Sequence, residues 1–196
     1  GLSILGSDYS SIGLSTKGEI ATYLLLLFRG SLTSLAGHSL GLILLFLVPL
    51  AIIFHSLLTG RSVGEVAARS REITFLTIGV MLTLLVVTAA FTAKVVDLGP
   101  YESVWRIHAR YYNFIFPLFI ITAASELRAY EAETVSKWRM AGAAIGVVFV
   151  LAAYPILTKY YSLSFVDSPE LRGVTVRPMI GWAVAIIGAL CLAVWA

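Results

Sequence analysis

The chain has 196 residues, of which 59% are hydrophobic and only 13% charged, with a net charge of +3. A soluble domain carries about a quarter charged residues, so a soluble enzyme is excluded and an all-α integral membrane protein is expected. The basic residues are scattered, with no run or stripe of the size that nucleic-acid binding requires. A small positive excess suits contact with anionic membrane lipid. The one cysteine, Cys191, lies inside an apolar run, which rules out a disulfide framework. His38, His55 and His108 stand far apart, and there is no HExxH, P-loop or dinucleotide fingerprint, so neither metal nor cofactor is implied.

In chain order, residues 1–16 are rich in Ser and Gly and predict a loop. Residues 17–37 hold an apolar piece, Ile20 to Phe28, that is cut by Arg29 and followed by small residues. It is too short to span, since spanning needs about twenty residues, and an interfacial or re-entrant helix is expected. From residue 38 a transmembrane bundle is expected, with about five spans at roughly 39–58, 73–93, 111–125, 140–158 and 178–196. Pro49 predicts a kink in the first span. The third span rises only about 22 Å against a hydrocarbon core of about 30 Å. Arg110 at one end, and Glu126 with Arg128 at the other, must then snorkel or be held by protein or ligand. The small residues from Ala141 to Gly146 suit close helix packing in the fourth span. The absence of methionine at Gly1 and of a polar flank after Ala196 leads us to expect a fragment of a longer polytopic protein.

Charge counting does not orient the bundle. The polar loops at 59–72 and 127–139 carry six Lys and Arg, and those at 94–110 and 159–177 also carry six.

The densest chemistry lies at Tyr101–Leu118, YESVWRIHARYYNFIFPL. A helix from Glu102 would put Glu102, Arg106, Arg110, Asn113 and Pro117 on one stripe. Glu102 offsets Arg106, while Arg110 has no acidic partner within a turn. Two arginines at i and i+4 repel, and an anion between them relieves the repulsion; a phosphate suits two guanidinium forks. An ordinary belt of aromatic and basic anchors at a bilayer surface has the same composition. The residues alone do not separate the two.

At Ile107–Pro117, IHARYYNFIFP, the sequence resembles polytopic membrane glycosyltransferases of the GT-C class and related membrane families. Arg110-Tyr111 matches their basic-aromatic pair and Pro117 the proline two turns on, while Ala109 stands where glycine is common. The resemblance implies a multi-pass protein of the bacterial inner membrane and cell envelope. It also implies a donor sugar carried on a polyprenyl phosphate, with the loops at 94–110 and 159–177 facing outward. Arg110 and Tyr111 would contact the lipid phosphate, with Arg106 and His108 as further substrate-binding residues. The family's catalytic acid lies in the first external loop, and nothing here matches it. No catalytic residue is therefore assigned, and the base would come from the missing N-terminal part of the same chain. Two other functions remain open: a transporter or flippase for a lipid-linked substrate, and a non-catalytic scaffold or assembly subunit. The absence of Asp, Glu, Lys and Arg within the expected spans disfavours ion-coupled transport.

Overall fold

A computed structural model describes residues 17–59, 65–96, 102–129 and 137–196. Among them run six helices: α1 Lys17–Thr59, α2 Glu65–Lys94, α3 Phe116–Ala129, α4 Lys137–Tyr160, α5 Pro169–Thr175 and α6 Pro178–Trp195. The fold is all-α. α1, α2, α4 and α6 are long and apolar enough to cross a membrane, and Asn113–Leu127 is a shorter apolar helix. The chain is an integral membrane protein. The loop expected at 1–16, and residues 60–64, 97–101 and 130–136, lie outside the described residues.

α1 is the centre of the bundle and touches α2, α3, α4 and α6. The stretches 17–37 and 39–58, separate on sequence grounds, form one helix of 43 residues. Arg29 and the small residues after it do not break it, because Gly30 and Ser34 turn inward and are buried. Before them, Leu24, Leu25, Leu26 and Phe28 are exposed. The kink expected from Pro49 occurs at Phe46, whose φ of −129° and ψ of 27° are not helical. Proline has no N–H, and its ring crowds the carbonyl four residues earlier, so the helix yields one turn upstream. The kink aims the Phe46 ring at α3, against Phe116 at 4.5 Å and Phe119 at 5.5 Å.

The small residues of α4 divide. A Cβ at Gly146 would crowd Leu192 of α6, whereas Gly142 faces open space. On α6, Gly181 admits the Tyr154 ring of α4, which a Cβ would displace.

α3 begins later than the expected third span and has only 14 residues. The reason is Pro117, tolerated in a first turn but not in a helix interior. Upstream the chain makes two 3-10 turns, Ala109–Tyr111 and Asn113–Ile115. At about 2 Å per residue these supply length that a 14-residue helix lacks. Irregular backbone at membrane depth survives only where protein covers it, and Ile107, Ala109, Tyr112 and Ile115 are all buried.

At the far end of α3, Glu126 does not snorkel. It is buried, and accepts hydrogen bonds from Ser56 Oγ of α1 at 2.5 Å and Thr74 Oγ1 of α2 at 2.6 Å. One turn up, Thr77 and Thr122 join α2 to α3 at 2.9 Å. Replacing Glu126 by Ala removes the carboxylate that accepts from both hydroxyls. We expect a loss on the order of 2 kcal/mol, read as a lower unfolding temperature in detergent, with Thr74→Val costing less.

Candidate functional site

Residues 102–115 and the connection between α4 and α5 form a cap over one end of the bundle. Glu102 to His108 is not helical, contrary to the predicted stripe. Its backbone groups bond across to the 161–168 connection instead of four residues back. Ile107 N–H donates to Ser162 O at 3.3 Å, Ser162 N–H to Trp105 O at 2.8 Å and Arg110 N–H to Asp167 O at 2.8 Å. Arg106 and Ser162 thus pair as a single parallel bridge. Around it, Trp105 packs edge-on to Tyr161, whose hydroxyl donates to Thr33 O of α1 at 2.8 Å. A Cβ at Gly37 would overlap that tyrosine ring, so glycine there lets the cap sit down on α1.

The four residues proposed from sequence converge here, but around a partner inside the chain. Asp167, with 1% of its side chain exposed, lies between the two arginines. Its Oδ2 accepts from Arg106 Nε at 2.7 Å, from Arg106 Nη2, and from Ser164 Oγ at 2.8 Å. Its Oδ1 stands 3.6 Å from Arg110 Nε. Glu102 takes the remaining face of Arg106, with Nη1 to Oε1 at 2.9 Å. The expected i,i+4 pair therefore forms although the helix does not. The anion between Arg106 and Arg110, expected as a ligand phosphate, is a carboxylate of the protein. Burial alone would raise the Asp167 carboxyl, but hydrogen bonds from Arg106 and Ser164 and the Arg106 charge outweigh it and hold it below the usual range.

Arg106 is consequently enclosed by acids, whereas Arg110 keeps 46% of its side chain exposed. Its guanidinium lies over the Tyr111 ring, 5.1 Å from the centroid, and donates to the phenol oxygen at 3.2 Å. Tyr111 is itself partly exposed and edges onto Phe91 of α2. His108 is buried; its ring meets Thr92, and its backbone N–H donates to His38 Nε2. Burial lowers its pKa, and nearby Asp167 and Arg106 act in opposite directions. Of the four, Arg110 and Tyr111 can reach a ligand at the surface; Arg106 and His108 hold the cap in shape.

Sequence reasoning missed Asp167 as the hub, and also Ser164, His38, Thr92 and Glu170. Asn113 Nδ2 donates to Glu170 Oε1 at 2.7 Å, tying the second 3-10 turn to α5. The one available signal for Asp167 was that its loop shares a side with the arginines. Among the described residues no group of three His, Cys, Asp or Glu comes together as a metal site.

Compared with family models, curated proteins and solved structures, the chain matches none.

Removing the Asp167 charge leaves the half-buried Arg106 with one acid fewer. Asp167→Asn should cost about 3 kcal/mol, measured by thermal unfolding in detergent. The depressed carboxyl also sets a pH dependence. Its contribution is complete above the ordinary value of 3.8 and is lost as pH falls through the lower folded value. The acid limb of a stability-versus-pH curve below 3.8 should therefore flatten in Asp167→Asn.

Proposed function

We propose that the chain is the C-terminal transmembrane part of a glycosyltransferase that uses a polyprenyl-phosphate-linked sugar, and that Arg110 with Tyr111 supplies the contact to the lipid phosphate. The observation that carries this is the half-exposed Arg110 guanidinium, steadied on one side by Asp167 and on the other by Tyr111. A fixed fork at the mouth of a membrane bundle suits a phosphate oxygen pair. Transfer from a lipid phosphate leaves negative charge on the departing oxygen, and a preorganised cation stabilises that charge without reorganising. Arg106 and His108 enter as positioning residues, not as ligand contacts. The general base for the acceptor hydroxyl is expected from elsewhere in the parent protein.

One observation favours a second reading, the scaffold or assembly subunit. Glu102 and Asp167 balance Arg106 and Arg110 in full, so the cap needs no ligand to be stable.

Binding of polyprenyl phosphate to the detergent-purified chain separates the two. Under the proposal, Arg110→Ala weakens binding at least about tenfold, the scale of one lost charged hydrogen bond. Arg110→Lys retains part of the affinity. Equal affinity in wild type and Arg110→Ala, with the same unfolding temperature, overturns the lipid-phosphate contact and leaves the scaffold reading.

A further inference from the structure

The hydrogen bonds around His108 fix which of its nitrogens carries the proton. Thr92 Oγ1 donates its one hydrogen to Thr88 O at 2.9 Å. The 3.1 Å contact between Thr92 Oγ1 and His108 Nδ1 therefore requires Nδ1 to be the donor. In the neutral ring Nε2 then bears a lone pair and no hydrogen. It faces Glu102 Oε2 at 3.8 Å. That oxygen is enclosed and has no hydrogen-bond partner among the described residues. Two acceptors stand 3.8 Å apart with no hydrogen between them. An enclosed oxygen leaves no water-sized space beside it, so the ligand that fits the gap is a proton.

The surroundings keep the gap empty at neutral pH. Facing His108 are Glu102, Arg106, Arg110 and Tyr111 from its own segment, Asp167 from the α4–α5 connection and His38 from α1. α2 contributes Thr92 and the Phe91 ring. Burial, the largest influence, lowers the ring below its ordinary 6.5, while the two carboxylates raise it and the two guanidiniums lower it. His38 does not compete. Its Nδ1 donates to Ser34 O at 2.7 Å and its Nε2 accepts from the His108 backbone N–H at 3.1 Å, so both nitrogens are committed.

We infer that His108 Nε2 and Glu102 Oε2 form a proton-uptake site, in which one added proton closes the gap into an ion-paired hydrogen bond. Uptake turns the four charges of the cap from a sum of zero into a cap with one net positive charge. The inference stands whether or not Arg110 meets a lipid phosphate.

The test is nitrogen-15 histidine NMR on the whole chain in detergent micelles, with His108 and His38 assigned from His108→Asn. At neutral pH, His108 should show hydrogen on Nδ1 and none on Nε2, and on acidification below 6.5 its Nε2 should gain a proton. Glu102→Gln keeps an oxygen for Arg106 and sets an amide N–H against Nε2. Its titration midpoint should fall by about one unit or more, the scale of a lost opposite charge at this range. Glu102→Asp, which draws the carboxylate back, should shift it the same way by less. The His38 signal, with hydrogen on Nδ1, reports that each variant is folded. Hydrogen on Nε2 at neutral pH in wild type overturns the inference. So does absence of titration, or an unchanged midpoint in a folded Glu102 variant.

Discussion

The cap depends on one buried carboxylate. Asp167 sits on a connection between helices, distant in sequence from both arginines, and draws Arg106 and Arg110 to one point. Without it, two like charges four residues apart would repel in a poorly screened place. The segment that carries them would also have no reason to lie flat. Its irregular backbone is tolerated at the membrane boundary because the 161–168 connection supplies the donors and acceptors a helix would have supplied internally. Charge pairing and backbone pairing thus hold the same two segments together, and each makes the other cheaper.

That arrangement changes what the arginines can do. A pair of free guanidiniums is a general anion trap; a pair already sharing a carboxylate is not. The cap as a whole is electrically balanced, and its chemistry narrows to the one guanidinium with an open face, Arg110 on Tyr111. A balanced cap also responds sharply to a single added charge, since no surplus of either sign masks it. This is why His108, buried and without catalytic access, still matters to the electrostatics of Arg110.

The membrane class, the approximate positions of α2, α4 and α6 and the Pro49 kink were legible in the sequence, because they follow from composition, run length and the missing proline N–H. The four site residues were legible as a cluster, since aromatic and basic residues crowd into a dozen positions. Their roles were not. The helical stripe through Glu102 and Arg110 obeyed the right spacing and was still wrong, because the partner that replaces the helical bonds lies some sixty residues away. Pro117 held the local warning: proline suits the first turn of a helix, so the helix that contains it starts beside it and not at Glu102. For Glu126 the sequence left snorkelling and capture by protein both open, because its partners, Ser56 and Thr74, come from two other helices.

The two polar ties lie at matched heights on α1 and α2. On α1 the upper tie is His38 and the lower is Ser56; on α2 the upper is Thr92 and the lower is Thr74. Each pair is eighteen residues apart, a rise of about 27 Å, close to the roughly 30 Å of a hydrocarbon core. Polar side chains within that slab would have to be satisfied with no help from water. The carboxylate and imidazole bonds sit at the two ends of that stretch, and between them the buried side chains are mostly Leu, Ile, Phe and Ala, with Thr77 bonded to Thr122. The short α3 follows from the same geometry. Glu126 fixes its lower end at one edge, and the 3-10 turns bring the chain to the other, where His108 meets Thr92. The cap is therefore docked on one end of the bundle by the spans themselves, with Arg110 and Tyr111 at its surface.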